Sequence, residues 1–299
     1  MDSTREYRAF VAVAEAESFA AAARRLNMSG PAMTRTIAAL EDRLGARLFK
    51  RSTRVVRLTE LGGRFLADCR RIIADIEAAE ASVAGAHGEP RGAIVVTAPA
   101  MFGRLHVAPT VIEFLARYPG MTARTLFVDR VVDLIEEGVD VAVRIAHLPD
   151  SRLTAIRVGA VRRIVVAAPQ FLKQHGAPRT VKDLARLDVI DFSSALPHQS
   201  WTFRGRSRTQ TAKPRVRLSV NSAEVAVAAA VAGFGLTRVL SYQAGREIEA
   251  GRLNVVLAEA EPPPIPVHLV HAEGRRTSAR LRVFLDFAVE RLKREKWLC

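Results

Sequence analysis

The stretch from Ser18 to Leu44, SFAAAARRLNMSGPAMTRTIAALEDRL, predicts two short helices joined by a tight turn. In the first helix, apolar side chains recur at the three- and four-residue steps of one face, at Phe19, Ala22, Ala23 and Leu26. The second restarts at Gly30-Pro31, where a proline is tolerated because a first-turn N–H has no intrahelical partner. It places Met33, Ile37, Leu40 and Leu44 on one apolar stripe. Its outward residues are Thr34, Arg35 and Ala38. This pattern is typical of a helix-turn-helix whose second helix enters the DNA major groove; a helical hairpin inside a core is the alternative.

The segment after Leu44, GARLFKRSTRVVRLT, predicts two short strands with Ser52-Thr53 between them, as in a wing. From position 43 to 57 there are six basic residues and no acidic ones: Arg43, Arg47, Lys50, Arg51, Arg54 and Arg57. Positive charge concentrated beside a candidate recognition helix favours contact with phosphates. A solvated charged face is the alternative.

Two further helices flank this region. Residues 4–16 predict one that faces inward through Tyr7, Phe10, Val13 and Ala14. Thr59 is positioned to cap a long one, whose apolar seam follows steps of 4, 3, 4, 3 and 4 at Phe65, Cys69, Ile72, Ile76, Ala79 and Val83. That heptad spacing predicts a dimer, with packing onto its own domain as the alternative. The glycines of GAHGEPRG predict a hinge after it.

From Ala93 onward, short apolar strands alternate with helices. AIVVTA, TLFVD and VDVAVRIA are separated by a helix over Leu105–Arg117 and a short helix with Leu134 and Ile135. This alternation predicts a parallel sheet with crossover helices. A second series begins with RIVVAA near position 163, and the last strand, VHLVHA, and a helix over 277–296 are expected to return to the first lobe.

Composition limits the class of protein. The formal net charge is +14 and the pI is near 10.9, which favours a polyanionic partner. Two cysteines, Cys69 and Cys299, make no disulfide framework. The start, MDSTREYR, lacks the pattern of a secretory signal, and the longest apolar run, Val225–Leu236, is about 12 residues against the roughly 20 that span a bilayer. We therefore expect a cytoplasmic protein that contacts no membrane.

Catalytic motifs are missing from the sequence. It contains no HExxH, GxSxG or P-loop motif and no full GxGxxG, and GFG at 233–235 alone is weak. Seven histidines are scattered, and none lies at metal-ligand spacing from cysteines or acids. We expect no catalytic residues, no cofactor and no metal, so an enzyme is disfavoured.

Several segments together resemble the LysR-type transcriptional regulators. The DNA-binding signature lies in residues 18–62, and further matches are APAMFGRLHVAPTVIEFLARYP, VDVAVRIAHLPDS and VNSAEVAVAAAVAGFGLTRVL. The resemblance implies a winged helix-turn-helix at 1–59, a dimerising linker helix and hinge at 60–91, and a two-lobed α/β effector-binding domain at 92–299, similar to periplasmic solute-binding proteins. The first lobe would take about 92–161 and 265–299, and the second about 162–264.

The resemblance also implies which residues meet DNA. They are Ser18, Ser29, Pro31, Thr34 and Arg35 around the recognition helix, and Arg51, Thr53 and Arg54 in the wing. Arg35 is the best candidate for direct readout, because a guanidinium can donate two hydrogen bonds to guanine. Ala20 and Gly30 stand where relatives often carry threonine and glutamine, so the operator sequence is expected to differ.

The implied effector site lies between the lobes, at Ala100, Met101, Phe102, Arg144, Ile145, Ala146, Ser193, Ser194, Asn221, Gly235, Leu236 and Thr237. A strand that leads into a helix N-terminus offers free N–H groups to a small anion. Met101 replaces the serine or threonine of many relatives, which favours a more apolar or bulkier ligand, or a weakly responsive pocket.

The sequence thus predicts a DNA-binding transcriptional regulator that responds to a small-molecule effector. Its implied partners are double-stranded DNA, the effector, further copies of the chain as a dimer or tetramer, and RNA polymerase as a candidate. The alternatives are a solute-binding receptor-like protein, disfavoured by the DNA-binding segment, and a ligand-insensitive repressor.

Overall fold

The computed structural model describes residues 3–51, 56–83, 90–151, 153–192, 200–205, 209–272 and 278–298. The chain forms two compact units. One comprises Met1–Ala93 with the short segments Gly120–Thr122 and Ser278–Arg280, and the other comprises the remainder.

The N-terminal unit contains the predicted helix-turn-helix. Its helices are α1 (Ser3–Ala16), α2 (Phe19–Arg25) and α3 (Gly30–Leu44), followed by an antiparallel hairpin of β1 (Phe49–Arg51) and β2 (Val56–Leu58), and by α4 (Glu60–Val83). The fully buried side chains include Phe10, Met33, Ile37 and Leu40, so most of the predicted apolar stripes form the core, whereas Leu44 at the end of α3 is exposed. The helix-turn-helix prediction is confirmed.

Helix α4 begins as expected but packs differently along its seam. The Thr59 hydroxyl accepts a hydrogen bond from the Gly62 N–H at 2.9 Å, which confirms the cap. The Phe65 ring lies 5.3 Å from that of Phe10, and Cys69 is fully buried in the same core. Cys69 therefore lies wholly inside its own domain, and its prediction as a dimer contact is wrong. Phe65 packs against the same core but is only half-buried, so its dimer role stays a prediction.

The remaining four seam residues lie further along α4. Ile72 and Ile76 are half-buried, and their dimer role stays a prediction. The side chains of Ala79 and Val83 lie outside the described part of the helix.

The second unit contains two five-stranded sheets, each forming one lobe. The first has the order β4-β3-β5-β14-β6 and comprises β3 (Gly92–Ala98), β4 (Met121–Phe127), β5 (Val141–Ile145), β6 (Thr154–Val161) and β14 (Ile265–His271). The second has the order β11-β8-β12-β7-β13 and comprises β7 (Arg163–Ala167), β8 (Asp188–Phe192), β11 (Arg215–Val220), β12 (Leu236–Leu240) and β13 (Asn254–Val256). A separate hairpin joins β9 (Trp201–Phe203) and β10 (Gln210–Ala212).

Both sheets are mixed, so the predicted parallel arrangement holds for only part of each sheet. Strands β3 and β5 run parallel, as do β11, β8 and β12, but β14 is antiparallel to β5 and β6, and β7 is antiparallel to β12 and β13. The reason lies in the crossings. Strand β6 carries the chain out of the first sheet and β14 brings it back, so these neighbours must run in opposite directions.

Helices cover the sheets. The first lobe has a helical stretch made of α5 (Ala100–Phe102), one wider turn (Gly103–Val107) and α6 (Ala108–Arg117), together with the terminal α10 (Ala279–Lys293). The second has α7 (Pro169–His175), α8 (Ala223–Val231), α9 (Ser241–Glu249) and two short 3₁₀ helices at Val181–Arg186 and Ala258–Ala260.

The short helix expected at Leu134 and Ile135 is instead a turn. The Asp133 carboxylate accepts hydrogen bonds from the N–H groups of Ile135 and Glu136, at 2.9 and 3.0 Å, and Gly138 adopts a φ of 63°. An aspartate that bonds to the backbone two residues on favours a turn over a continuing helix.

Candidate functional site

The exposed side of α3 carries the predicted reading residues. Pro31, Thr34 and Arg35 are exposed, whereas the opposite face of the helix is buried in the core. No carboxylate of the described residues pairs with Arg35. The Thr34 hydroxyl donates to the Gly30 carbonyl at 3.1 Å and keeps its acceptor capacity. The N-terminal half of α3 therefore presents an exposed guanidinium, unpaired with any acid in the described part of the chain, beside a small hydroxyl.

Both predicted serines, Ser18 and Ser29, cap the N-termini of helices. The Ser18 hydroxyl accepts a hydrogen bond from the Ala21 N–H, and the Ser29 hydroxyl accepts one from the Ala32 N–H, each at 3.3 Å. These are N-caps, which stabilise a helix by about 0.5–2 kcal/mol relative to alanine. DNA contact by either serine stays a prediction.

A buried acid anchors α3 to the hairpin. The Glu41 side chain is 1% exposed, and its Oε1 accepts hydrogen bonds from the N–H groups of Leu48 and Phe49 at 2.8 and 3.1 Å. Its Oε2 lies 3.1 Å from Arg47. Sequence reasoning missed this anchor, although Glu41 falls four residues after Ile37 on the inward face of α3.

The basic cluster is partly neutralised within the unit. Arg43 pairs with Glu6 at 2.6 Å and Arg47 with Glu41 at 3.1 Å, so part of the positive charge of these two residues is offset within the unit, and their contact with phosphates stays a prediction. Lys50 and Arg57 are exposed and lie directly opposite each other in the hairpin. Like charges opposite each other are destabilising, and a phosphate between them would relieve the repulsion. Thr53, Arg54 and the Arg51 side chain lie outside the described residues.

In the first lobe, the strand ends enclose a cavity of about 310 Å³. Its lining includes Arg144, Ile145 and Ala146 beside Pro99 and Asp129, so these three predicted residues lie together. The Arg144 guanidinium donates to the Val132 carbonyl at 3.0 Å. The Ala100 N–H donates to an oxygen of Asp129 at 3.0 Å, so this N–H is already bonded to a carboxylate.

A second cavity, of about 440 Å³, lies between the lobes. Met101 and Leu105 face Val227 and Tyr242 across it, and Arg104 of the first lobe pairs with Glu224 of the second at 2.6 Å. Burial raises the pKa of Tyr242 well above its usual range, which keeps the phenol neutral. Met101 therefore contributes apolar surface to a cavity that both lobes line.

Several predicted effector residues pack inside the protein. Phe102 is fully buried, its ring 4.8 Å from His106 and 5.1 Å from Tyr242. Leu236 and Thr237 are also fully buried, and the Thr237 hydroxyl donates to the Ile190 carbonyl at 3.0 Å. As effector contacts, Phe102, Leu236 and Thr237 are therefore wrong.

The position of β12 explains part of this result. It lies at the centre of the second sheet, between β8 and β7, so its first residues are covered on both sides. A Cβ on buried Gly235, just before it, would lie 2.6 Å from the Asp188 carbonyl oxygen, so this glycine serves close packing rather than ligand contact. Asn221 is exposed, and Ser193 and Ser194 lie outside the described residues.

Sequence reasoning also missed a third cavity, of about 190 Å³, in the second lobe. Arg163, Asp191, Trp201 and Arg238 line it. The available signal was a single arginine inside the apolar strand GLTRVL and another at the start of RIVVAA.

Comparison with known proteins decides the family. Residues 4–63 match the model of the bacterial regulatory helix-turn-helix protein, lysR family, and residues 87–293 match the LysR substrate binding domain. The chain belongs to the LysR family of transcriptional regulators. As a member, this LysR-type regulator joins a DNA-binding domain to a ligand-binding domain, which confirms the predicted fold class and function.

Similar proteins cover nearly the whole chain. The regulator CrgA of Neisseria meningitidis serogroup B is 32% identical over 292 residues, 97% of each chain. The activator AaeR of Escherichia coli K12 is 28% identical over 286 residues, covering 96% of this chain and 93% of AaeR. The solved structure of CrgA from N. meningitidis has a TM-score of 0.62 at 30% identity, covering 96% of this chain and 98% of that one. These relatives are transcriptional regulators.

The described residues contain neither a candidate membrane-spanning helix nor a candidate metal cluster. None of their helices has the length and apolarity needed to cross a membrane. In the same part of the chain, no group of three histidine, cysteine, aspartate or glutamate residues could hold a metal ion.

Proposed function

We propose that this LysR-type regulator reads its operator through the exposed N-terminal half of α3, with Arg35 as the reading residue. The observation that carries this proposal is the exposed guanidinium, which has no acidic partner among the described residues. Arginine donates in a bidentate manner to guanine O6 and N7. Thr34, one residue before it, would contact a neighbouring base or phosphate.

The hairpin would supply affinity without sequence preference. Lys50 and Arg57 form an exposed like-charged cross-strand pair, and each would bind backbone phosphate. Arg51, Thr53 and Arg54 are carried into this proposal from the family resemblance. Replacing Lys50 or Arg57 by glutamine would lower the slope of log affinity against log salt by about one, because fewer counterions would be released.

Regulation would come from the second unit. An effector in the cavity that Met101 and Tyr242 line would touch both lobes, so its affinity would depend on the angle between them. A ligand shifts an equilibrium only by its differential affinity for the two states. Pairing through Ile72 and Ile76 of α4 would present two recognition helices, and tetramers and contact with RNA polymerase are carried over from the family resemblance.

Footprinting and fluorescence anisotropy on the DNA flanking this protein's own gene test the reading residue. Arg35→Ala should weaken specific binding by about 1–3 kcal/mol, roughly 5- to 150-fold, and relax preference at one base position. The matched control is Arg64→Ala, which removes an exposed arginine paired with Glu60 on α4. It should bind within about twofold of the parent.

An Arg35→Ala variant with the parent's footprint and affinity would remove Arg35 from base readout. Equal weakening by Arg35→Ala and Arg64→Ala would reduce the effect to net charge.

A further inference from the structure

The third cavity holds two arginines from neighbouring strands of the second lobe. Arg163 starts β7 and lies opposite Leu240 of β12, and Arg238 lies two residues before Leu240 on the same strand. Side chains two residues apart share a face of a sheet, so the two guanidinium groups are diagonal neighbours, with Cβ atoms about 7–8 Å apart or less. Both line the cavity, with Asp191 and Trp201.

Aromatic rings hold Arg238 in place. Its guanidinium carbon lies 5.0 Å from the centre of the Trp201 ring and 5.9 Å from that of Phe203, and its Nη1 donates to the Thr202 carbonyl at 3.2 Å. A guanidinium has five N–H donors, so one hydrogen bond leaves most of them available. Stacking on the aromatic rings fixes the plane of the Arg238 guanidinium, and the N–H groups at its edge can donate to a ligand.

The charges in the cavity do not balance. Its described lining holds two guanidinium groups and one carboxylate, Asp191, whose Oδ1 accepts a hydrogen bond from the Trp201 indole N–H at 3.3 Å. Burial, followed by the positive charge of Arg163, lowers the pKa of Arg238 to about 10, while the charge of Asp191 acts in the opposite direction. Burial also lowers the pKa of Arg163. A bound anion would offset both effects.

We propose that this cavity is an anion subsite in which Arg163 and Arg238 bind a carboxylate or phosphate group of a small organic ligand. Arginine forks match the two oxygens of such groups, and these charge-assisted hydrogen bonds are roughly twice as strong as neutral ones. At about 190 Å³ the cavity is smaller than most ligand pockets, so it holds an anionic group rather than a whole ligand.

The subsite adjoins the cavity between the lobes. Gln243 lines both cavities, so a ligand anchored at the arginines would extend its remaining atoms past Gln243 towards Tyr242. This inference rests on the proposed function, in which an effector between the lobes regulates the protein. It adds that this effector is an organic anion.

Tryptophan fluorescence tests the subsite in the full-length chain. The chain has two tryptophans, so in a Trp297→Phe background Trp201, in the cavity wall, is the sole reporter. Sodium acetate and inorganic phosphate are titrated separately at constant ionic strength, with sodium chloride as the reference. We expect a saturable change with at least one of them; acetate alone assigns a carboxylate, phosphate alone a phosphoryl group, and both a general oxyanion site.

Variants separate the arginines from general charge. Arg163→Gln should weaken anion binding at least tenfold. Arg238→Lys keeps the positive charge but loses the two parallel N–H donors of the guanidinium, and it should also weaken anion binding. Arg215→Gln removes an exposed arginine from β11 of the same lobe, where Arg217 still pairs with Asp188, and should bind like the parent. Circular dichroism checks that each variant folds.

No saturable change beyond that with chloride would overturn the subsite, as would parent-like affinity in both Arg163→Gln and Arg238→Lys. The measurement contains no DNA, so its failure leaves the Arg35 footprint untouched, and a failed footprint leaves the anion site standing.

Discussion

Replacing Glu41 by alanine should loosen the connection between the recognition helix and the hairpin. The change removes the acceptor of two buried N–H groups, those of Leu48 and Phe49. Each buried donor left without a partner costs about 1–3 kcal/mol. The pair with Arg47 adds little because the arginine side chain is 72% exposed. Relief of the buried charge offsets part of the loss, so we expect local destabilisation of about 2–4 kcal/mol.

The matched variant is Glu41→Gln, whose amide oxygen still accepts from the same N–H groups; it should lose only about 1 kcal/mol. Hydrogen exchange of the full-length chain, read by mass spectrometry on peptides from α1 to β2 over a urea series, gives the local opening free energy. A loss below about 0.5 kcal/mol for Glu41→Ala would refute the reasoning, since such a value is typical of a surface substitution. Equal losses in the two variants would show that charge, not the acceptor oxygen, is what matters.

Three further predictions concern α4 and the contact between the lobes. Gly62→Ala should destabilise the N-terminal unit, because the new Cβ would lie 2.2 Å from the Leu48 carbonyl oxygen, just before β1. The Cβ of Gly63→Ala would meet no atom within 4 Å, so this variant should be more stable by about 0.5–1 kcal/mol. Equal melting temperatures of the two variants would refute this contrast. Ile72→Glu should give monomers in sedimentation, whereas Ile73→Ala, which trims a side chain packed against its own core, should lower stability and leave the dimer. Burial lowers the pKa of His106, so the folded state binds a proton less readily than the unfolded state. The contribution of neutral His106 to the free energy of unfolding is therefore complete above about pH 6.5 and is lost as the pH falls below it. His106→Gln should flatten this pH dependence in thermal melts from pH 7.5 to 5.5.

Periodicity predicted the helices of the N-terminal unit because burial of one face requires it. The same periodicity could not say what covers Cys69, since a heptad seam is equally apolar against a partner helix or its own core. Burial in that core raises the pKa of the Cys69 thiol to about 12, a property that spacing does not encode.

The ligand cavities were harder to predict. Thr237 resembles a polar contact residue in sequence, but its place on a central strand commits its hydroxyl to Ile190. Arg163, Asp191 and Arg238 come from three strands, and only the order β8-β12-β7 brings them together. The order of strands in a sheet depends on the packing of the whole lobe, so no local sequence pattern predicts that these three residues lie together.

The two connections between the lobes pass side by side. Val161, the last residue of β6, lies opposite Ile265, the first of β14, and Arg162 pairs with Glu261 across them at 3.6 Å. Because the two connections are paired in this way, we expect them to act as one hinge, about which the two lobes rotate on a single axis. A small rotation at this axis becomes a larger displacement at the far ends of both sheets. Substitutions at Arg162 or Glu261 should therefore change how strongly an effector alters DNA binding without touching either ligand.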